Sequence, residues 1–147
     1  MLSQKAKYAL RAVLMLAERF GAQTPPVAVS EIAEREQIPQ KFLEAILVEL
    51  RDSGILLSRR GRAGGYSLQR PPEAISFGDI IRTIDGPLAL IPCASRTRFK
   101  PCAECADVAN CRIRWAMLNA RDATAASLDG CSLADALAER PSVSSDS

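Results

Sequence analysis

The chain has 147 residues, of which 48% are hydrophobic, 24% charged and 5% aromatic. That length suits one domain, or one domain with an appendage, and the apolar fraction is ample for a core, which excludes a disordered or collagen-like chain. The formal net charge of +2, from 19 basic and 17 acidic residues, is too small to indicate a partner, so the placement of charge carries more information than its sum.

The opening segment, MLSQKAKYALRAVLMLAERF, has basic residues followed by apolar ones, the order of a secretion signal. Arg11, Glu18 and Arg19 interrupt the apolar run, and no A-x-A cleavage site follows. Its periodicity predicts instead an amphipathic helix from about Ser3 to Phe20 with Leu10, Val13, Leu14, Leu16 and Ala17 on one face, in a cytoplasmic protein. No apolar stretch approaches the roughly 18 residues of a membrane span, so no membrane is expected among the partners.

GAQTPP then breaks the chain. A short helix is expected from Ser30 or the residue before it, with Ile32, Ala33 and the aliphatic stem of Arg35 on its inner face. Pro39 suits the first turn of the next helix, which carries a stripe of Phe42, Leu43, Ile46, Leu47 and Leu50 and stops at Gly54. Two helices separated by so few residues describe a helix-turn-helix. Leu56–Arg59 and Gly65–Leu68 follow as two short strands around an arginine–glycine tip, which makes a β-hairpin wing. The predicted fold is mainly α: a winged helix-turn-helix with a two-stranded wing, then a cysteine-containing loop and a long C-terminal helix.

Arg51, Arg59, Arg60, Arg62 and Arg70 are opposed over this stretch only by Asp52, a local cationic patch on a balanced chain. The second helix of the helix-turn-helix presents Gln40, Lys41 and Glu44 on its polar face. Glutamine and glutamate can read adenine and cytosine edges, and lysine can meet guanine or phosphate. Arg60 and Arg62 at the hairpin tip supply cations for the backbone or the minor groove, and Gly64 and Gly65 let the tip approach another surface closely. The helix alone reads equally well as a solvated face; helix and wing together favour double-stranded DNA.

Farther on, Ser76 with Asp79 forms a capping-box pattern ahead of Ile80, Ile81 and Ile84. A loop without periodicity runs from Pro87 to about Asn110. The long helix is expected over roughly Arg112 to Leu128, with Ile113, Met117, Ala120 and Thr124 on one side and small residues that would let helices pack closely. Ser132, with Asp135 three residues on, caps a final short helix. The divisions are residues 1–86, a DNA-binding domain; 87–111, a cysteine-rich loop; 112–140, the long and final helices; and 141–147, a polar tail expected to be mobile.

The loop holds Cys93, Cys102, Cys105 and Cys111 in a chain without histidine. Five cysteines are an odd number, against a fully paired disulfide framework. A C-x-x-C pair at Cys102 and Cys105 is a two-ligand grip, and thiolates suit an iron–sulfur cluster or zinc. Arg96, Arg98, Lys100, Arg112 and Arg114, with the helix start at Cys111, would favour thiolates and an anionic cluster. The spacing does not separate iron–sulfur from structural zinc, nor either from a redox disulfide. A thiol enzyme built on CAEC lacks a βαβ context and a histidine base, so no catalytic residues are assigned. Cys131 reads as a buried small hydrophobe.

KAKYALRAVLMLAE, SEIAEREQIPQKFLEAILVELRDSGILLSRRGRAGGYSL and ISFGDIIRTIDG together resemble the Rrf-type winged-helix transcriptional regulators, the IscR/NsrR/CymR-like family, over about residues 1–140. The resemblance implies a homodimer on a partly palindromic operator, dimerised by the long C-terminal helix, with a regulatory loop before that helix. It places Gln40, Lys41, Phe42 and Glu44 in the recognition helix and residues 60–65 in the wing; the family's glutamine after the glutamate is Ala45 here. Cluster-binding members carry three loop cysteines, matched by Cys93, Cys105 and Cys111. Arg114 stands where IscR-like members place a histidine ligand, and about Lys7 where some NsrR-like members use a carboxylate. Cys102 is then the candidate fourth ligand, the other possibility being a cluster with one position open. The resemblance implies a regulator, read as a repressor, controlled by redox state, nitric oxide or iron and sulfur supply.

Overall fold

The structure is a computed structural model, and it describes residues 2–21 and 23–139. Arg140 and the tail at 141–147 lie outside the described residues. Six helices and one hairpin follow in the order α1 (Gln4–Glu18), α2 (Val29–Glu36), α3 (Gln40–Asp52), β1 (Leu56–Arg59), β2 (Gly65–Leu68), α4 (Phe77–Asp85), α5 (Arg112–Asp129) and α6 (Leu133–Ala138).

Helix α1 is the centre of the domain. It packs against α2, α3, α4, α6 and β2, so it is buried on more sides than an amphipathic stripe provides for. Ala6, Ala9 and Ala12 are fully buried beside Val13 and Met15, while Leu14 is only half-buried. The alanines let neighbouring helices come close. Ser3 caps α1 by accepting a hydrogen bond from the Ala6 N–H at 3.0 Å, and its own N–H donates to Asp85 at the end of α4 at 3.0 Å.

In α2 the inner face is Ile32 and Ala33 alone. Arg35 does not lie over the core as the sequence suggested: its guanidinium turns outward to Glu18 at 2.6 Å, because α1 offers a carboxylate at the rim. Gln37 takes the left-handed conformation, and Ile38 and Pro39 complete the turn into α3. Leu43, Ile46, Leu47 and Leu50 of α3 are all fully buried, each worth roughly 1.5–3 kcal/mol of apolar burial. The helix ends in a Schellman turn, with Gly54 at φ +84°, its N–H on the Arg51 carbonyl and the Ile55 N–H on the Leu50 carbonyl, both at 3.0 Å.

The wing is antiparallel, Leu56 opposite Leu68 and Arg59 opposite Gly65. Its inner ends, Leu56 and Leu68, are buried in the core. Capping boxes at Ser76 and Ser132 start α4 and α6. Those two helix starts lie side by side, since the Phe77 N–H donates to the Cys131 carbonyl and the Leu133 N–H to the Ile75 carbonyl. Cys131 is therefore half-buried, with its backbone used as a hydrogen-bond partner, rather than the buried hydrophobe expected.

Helix α5 docks by its C-terminal end. Asp129 receives both guanidinium nitrogens of Arg82 on α4, at 2.6 and 2.8 Å. Gly78 makes room for this, because a Cβ there would collide with the Asp129 carboxylate. In α5 only Ala125 is buried, and Ile113 and Trp115 near its start are each 68% exposed.

Candidate nucleic-acid interface and cysteine loop

The polar side of α3 faces outward from the helix-turn-helix. Gln40, Lys41, Glu44 and Ala45 are all exposed. The Gln40 amide nitrogen donates to Glu44 Oε1 at 3.3 Å, so these two polar groups, one turn apart, are pre-oriented. Phe42 is 46% exposed, and its ring meets Tyr8 of α1 edge-to-face at 5.9 Å between centroids. That contact braces α3 against α1, a role the apolar spacing hid.

Arg60 and Arg62 stand exposed at the wing tip, and with Arg59 they form no ion pair with any described residue. Arg51 is neutralised locally by Asp52 at 2.9 Å, and Arg70 turns back to the Ala74 carbonyl at 3.2 Å. The free cations of the patch are thus the three at the tip. Between wing and α2 a basic cleft of about 370 Å³ is lined by Arg51, Arg59, Arg60 and Tyr66 among others.

Gly64 and Gly65 are built into the wing. A Cβ on Gly64 would strike the Arg59 carbonyl across the hairpin, and one on Gly65 would strike the Val27 carbonyl. Val27 pairs with Tyr66 as an added bridge, Val27 N–H to Tyr66 O at 2.9 Å and the reverse at 2.8 Å. The two glycines therefore fix the angle at which the tip arginines project. Sequence reading found the need for close approach but not the surface approached, because Val27 lies almost 40 residues upstream.

In the loop a 3-10 turn at Pro92–Ala94 buries Cys93 and Ala94 against α5. The chain then doubles back, the Lys100 N–H donating to the Pro92 carbonyl at 3.3 Å. This brings exposed Cys102 to Cys93, with the two sulfurs 4.0 Å apart. Two thiolates sharing one tetrahedral ion at about 2.3 Å would stand about 3.8 Å apart, so this pair has the span of a two-ligand edge. Cys105 sits in a turn closed by its N–H on the Cys102 carbonyl at 3.1 Å. Cys111 caps α5, its sulfur accepting from the Arg114 N–H at 3.4 Å. The expected four-thiolate set is not drawn together: among the described residues no three Cys, Asp or Glu form a group able to hold a metal ion. For Cys111 the reason is local, since its sulfur serves the helix start. The donor chemistry still suits a thiophilic metal or cluster, and the Cys93–Cys102 edge is in place. The thiol of Cys102 is pushed up from its ordinary pKa, first by its hydrogen bond with Cys93, then by the charge of Cys93, with smaller contributions from desolvation and Cys111.

Two arginines staple this loop to α5. Arg114 Nε donates to the Cys93 carbonyl at 2.9 Å, and its guanidinium lies 5.6 Å from the centre of the Phe99 ring. Arg96 forms a two-pronged pair with Asp122 at 3.0 and 2.7 Å, and Arg121 adds a third donor at 2.8 Å. These donors hold the Asp122 carboxyl far below the usual carboxylate range. Neither staple was foreseen from sequence, where Arg96 and Arg114 read as positive charge near the thiols and Arg114 also as the residue at the family's histidine position.

A helix-turn-helix with an outward polar helix, a wing of unpaired arginines and a loop fastened to a long protruding helix together define a winged-helix transcriptional regulator. The chain belongs to the Rrf2 family, described as an iron-dependent transcriptional regulator, which matches residues 2–139. It is 48% identical over 115 residues to an rrf2-like HTH-type transcriptional regulator of Rhodobacter capsulatus, covering 78% of this chain and 77% of that one. It is 30% identical over 138 residues to the HTH-type transcriptional regulator IscR of Aliivibrio salmonicida, covering 94% and 77%. Among solved structures, CymR, the global cysteine regulator of B. subtilis, superposes with a TM-score of 0.73 at 31% identity, covering 92% of this chain and 95% of that one. No helix among the described residues is long and apolar enough to cross a membrane.

Proposed function

We propose that the chain is a homodimeric repressor on a partly palindromic double-stranded DNA operator, controlled by an iron–sulfur cluster held by Cys93, Cys102, Cys105 and Cys111. The observation that carries the DNA reading is the pairing of α3's exposed Gln40–Glu44 face with three unpaired wing arginines. Gln40, Lys41 and Glu44 would read base edges in the major groove, with Phe42 bracing the helix. Arg60 and Arg62 would meet phosphate or the adjacent minor groove, at an angle set by Gly64 and Gly65.

The dimer reading is supported by the apolar side chains left uncovered along and beside α5, Ile113, Trp115, Phe99 and Leu90, which a second copy would bury. A bound cluster would supply chemistry sensitive to oxidants, nitric oxide and iron supply. For their part, the protein's residues supply soft donors, surrounding cations and two arginine staples that pass any rearrangement of the loop to α5. Coupling of this kind requires that the loop state and the DNA favour the same arrangement of α5 and the recognition helices.

Absorption spectra with iron and sulfide assays on protein purified without air test the cluster. Visible bands with matched iron and sulfide are expected, and colourless protein carrying one zinc per chain contradicts it. Selection from a random duplex library tests the DNA reading: a twofold-symmetric motif is expected, bound more weakly as salt rises.

A further inference from the structure

We propose that Cys93 and Cys102 are the chain's own redox pair, closing to a disulfide under peroxide when no metal occupies the loop. The idea deepens the regulatory reading above and rests on it only for its consequence at DNA. Of the four loop thiols, these two alone stand sulfur to sulfur, at 4.0 Å. Their roles differ. Cys102 is exposed and meets the oxidant, whereas Cys93 is 4% exposed and is held from behind by the Arg114 bond to its carbonyl. Cys111 is engaged as the α5 cap, and Cys105 meets Cys102 through a backbone bond, its N–H on the Cys102 carbonyl, so the Cys93 sulfur is the first partner offered to Cys102.

The chemistry balances with hydrogen peroxide as oxidant. The fraction of Cys102 that is deprotonated, kept small by the neighbouring Cys93, attacks one peroxide oxygen, the O–O bond breaks, and water leaves after taking up a proton. The resulting sulfenic acid is attacked by the Cys93 thiolate, its S–O bond breaks, and a second water leaves. In sum, two thiols and one peroxide give one disulfide and two waters. The sulfurs must approach by about 2 Å to reach the usual S–S length near 2.05 Å. The exposed segment around Cys102 is the side free to move, because Cys93 is fixed to α5. Closure removes two of the proposed cluster ligands at once, so oxidised protein would not accept iron.

The test uses the full chain, purified without air, stripped with EDTA, treated with stoichiometric hydrogen peroxide and alkylated. Trypsin leaves Cys93 in the fragment 83–96 and Cys102 in the fragment 99–112, together with Cys105 and Cys111. The expected product is a cross-link between these fragments, placed on Cys102 by fragmentation, and Cys102→Ser should leave Cys93 alkylated. A link ending on Cys105 or Cys111, or Cys93 alkylated in the oxidised wild type, overturns the proposal. The mapping involves neither DNA nor a cluster. Its failure would therefore leave the regulatory reading standing, and equal operator binding by metal-loaded and metal-free reduced protein would overturn that reading without touching the disulfide.

Discussion

Arg114 holds Cys93 by its backbone carbonyl, Nε to oxygen at 2.9 Å, across 21 residues of chain. One bond thus fastens the buried thiol of the loop to the first turn of α5. A hydrogen bond from a charged donor contributes about 1.5–3 kcal/mol when well shielded, and this half-buried one contributes toward the lower end. Arg114→Ala should therefore raise the opening of the loop about tenfold, read as faster labelling of Cys93 by a thiol reagent. Arg114→Lys should fall between, since an ammonium can reach the carbonyl but cannot keep the guanidinium geometry. Equal labelling rates in all three proteins would deny the staple.

Gly65 should tolerate no side chain. Gly65→Ala drives a Cβ into the Val27 carbonyl at a φ of +153°, and a cost of about 2 kcal/mol is expected. For a domain of this size that lowers Tm by about 6 °C, measurable by calorimetry. DNA affinity should fall as well, because the Val27–Tyr66 bridge sets the wing angle. An unchanged Tm would mean the wing does not lie against Val27.

Much of this arrangement was legible in the sequence and some was not. The strands at Leu56–Arg59 and Gly65–Leu68, the capping boxes at Ser76 and Ser132 and the start of α5 at Arg112 rest on local rules, which a single sequence displays. The Val27–Gly65 approach, the Gly78–Asp129 fit and the Arg96–Asp122 staple join segments far apart in the chain, and nothing local marks them. The loop cysteines show both sides. Their spacing announced thiol chemistry, but the pairing of Cys93 with Cys102 depends on the Lys100–Pro92 turn, which has no periodic signature.

The tip arginines should act through charge, and Gln40 through base identity. Arg60→Ala and Arg62→Ala should each weaken binding to all duplexes and reduce the salt slope by about one. Gln40→Ala should instead relax preference at one base pair, by about 1–3 kcal/mol. Anisotropy titrations on a selected duplex and its single-base variants, at several salt concentrations, separate these outcomes.

Acid should release α5 before it melts the core. Asp129 is held below the usual carboxylate range first by its hydrogen bonds from Arg82, and Asp122 by those from Arg96 and Arg121. A depressed carboxyl stabilises the fold fully above its unfolded value near 3.9, and that contribution is lost as pH falls through the folded value. Both pairs are partly exposed, so the effect is local. Fluorescence of Trp115, the chain's one tryptophan, should change as pH drops below about 4 while helical circular dichroism persists. In Asp129→Asn protein the Arg82–Asp129 share of that change should already be present at neutral pH.

The central claim is that the state of the loop thiols sets DNA affinity through α5. It is tested most directly by one anisotropy comparison on a selected duplex: anaerobically purified wild type, the same protein stripped of metal, and Cys93→Ser. Stripping should shift wild-type affinity at least about tenfold, a coupling of about 1.4 kcal/mol, and Cys93→Ser should match the stripped protein. Identical affinities for all three would contradict it, leaving a DNA-binding protein whose cysteine loop does not speak to its recognition helix.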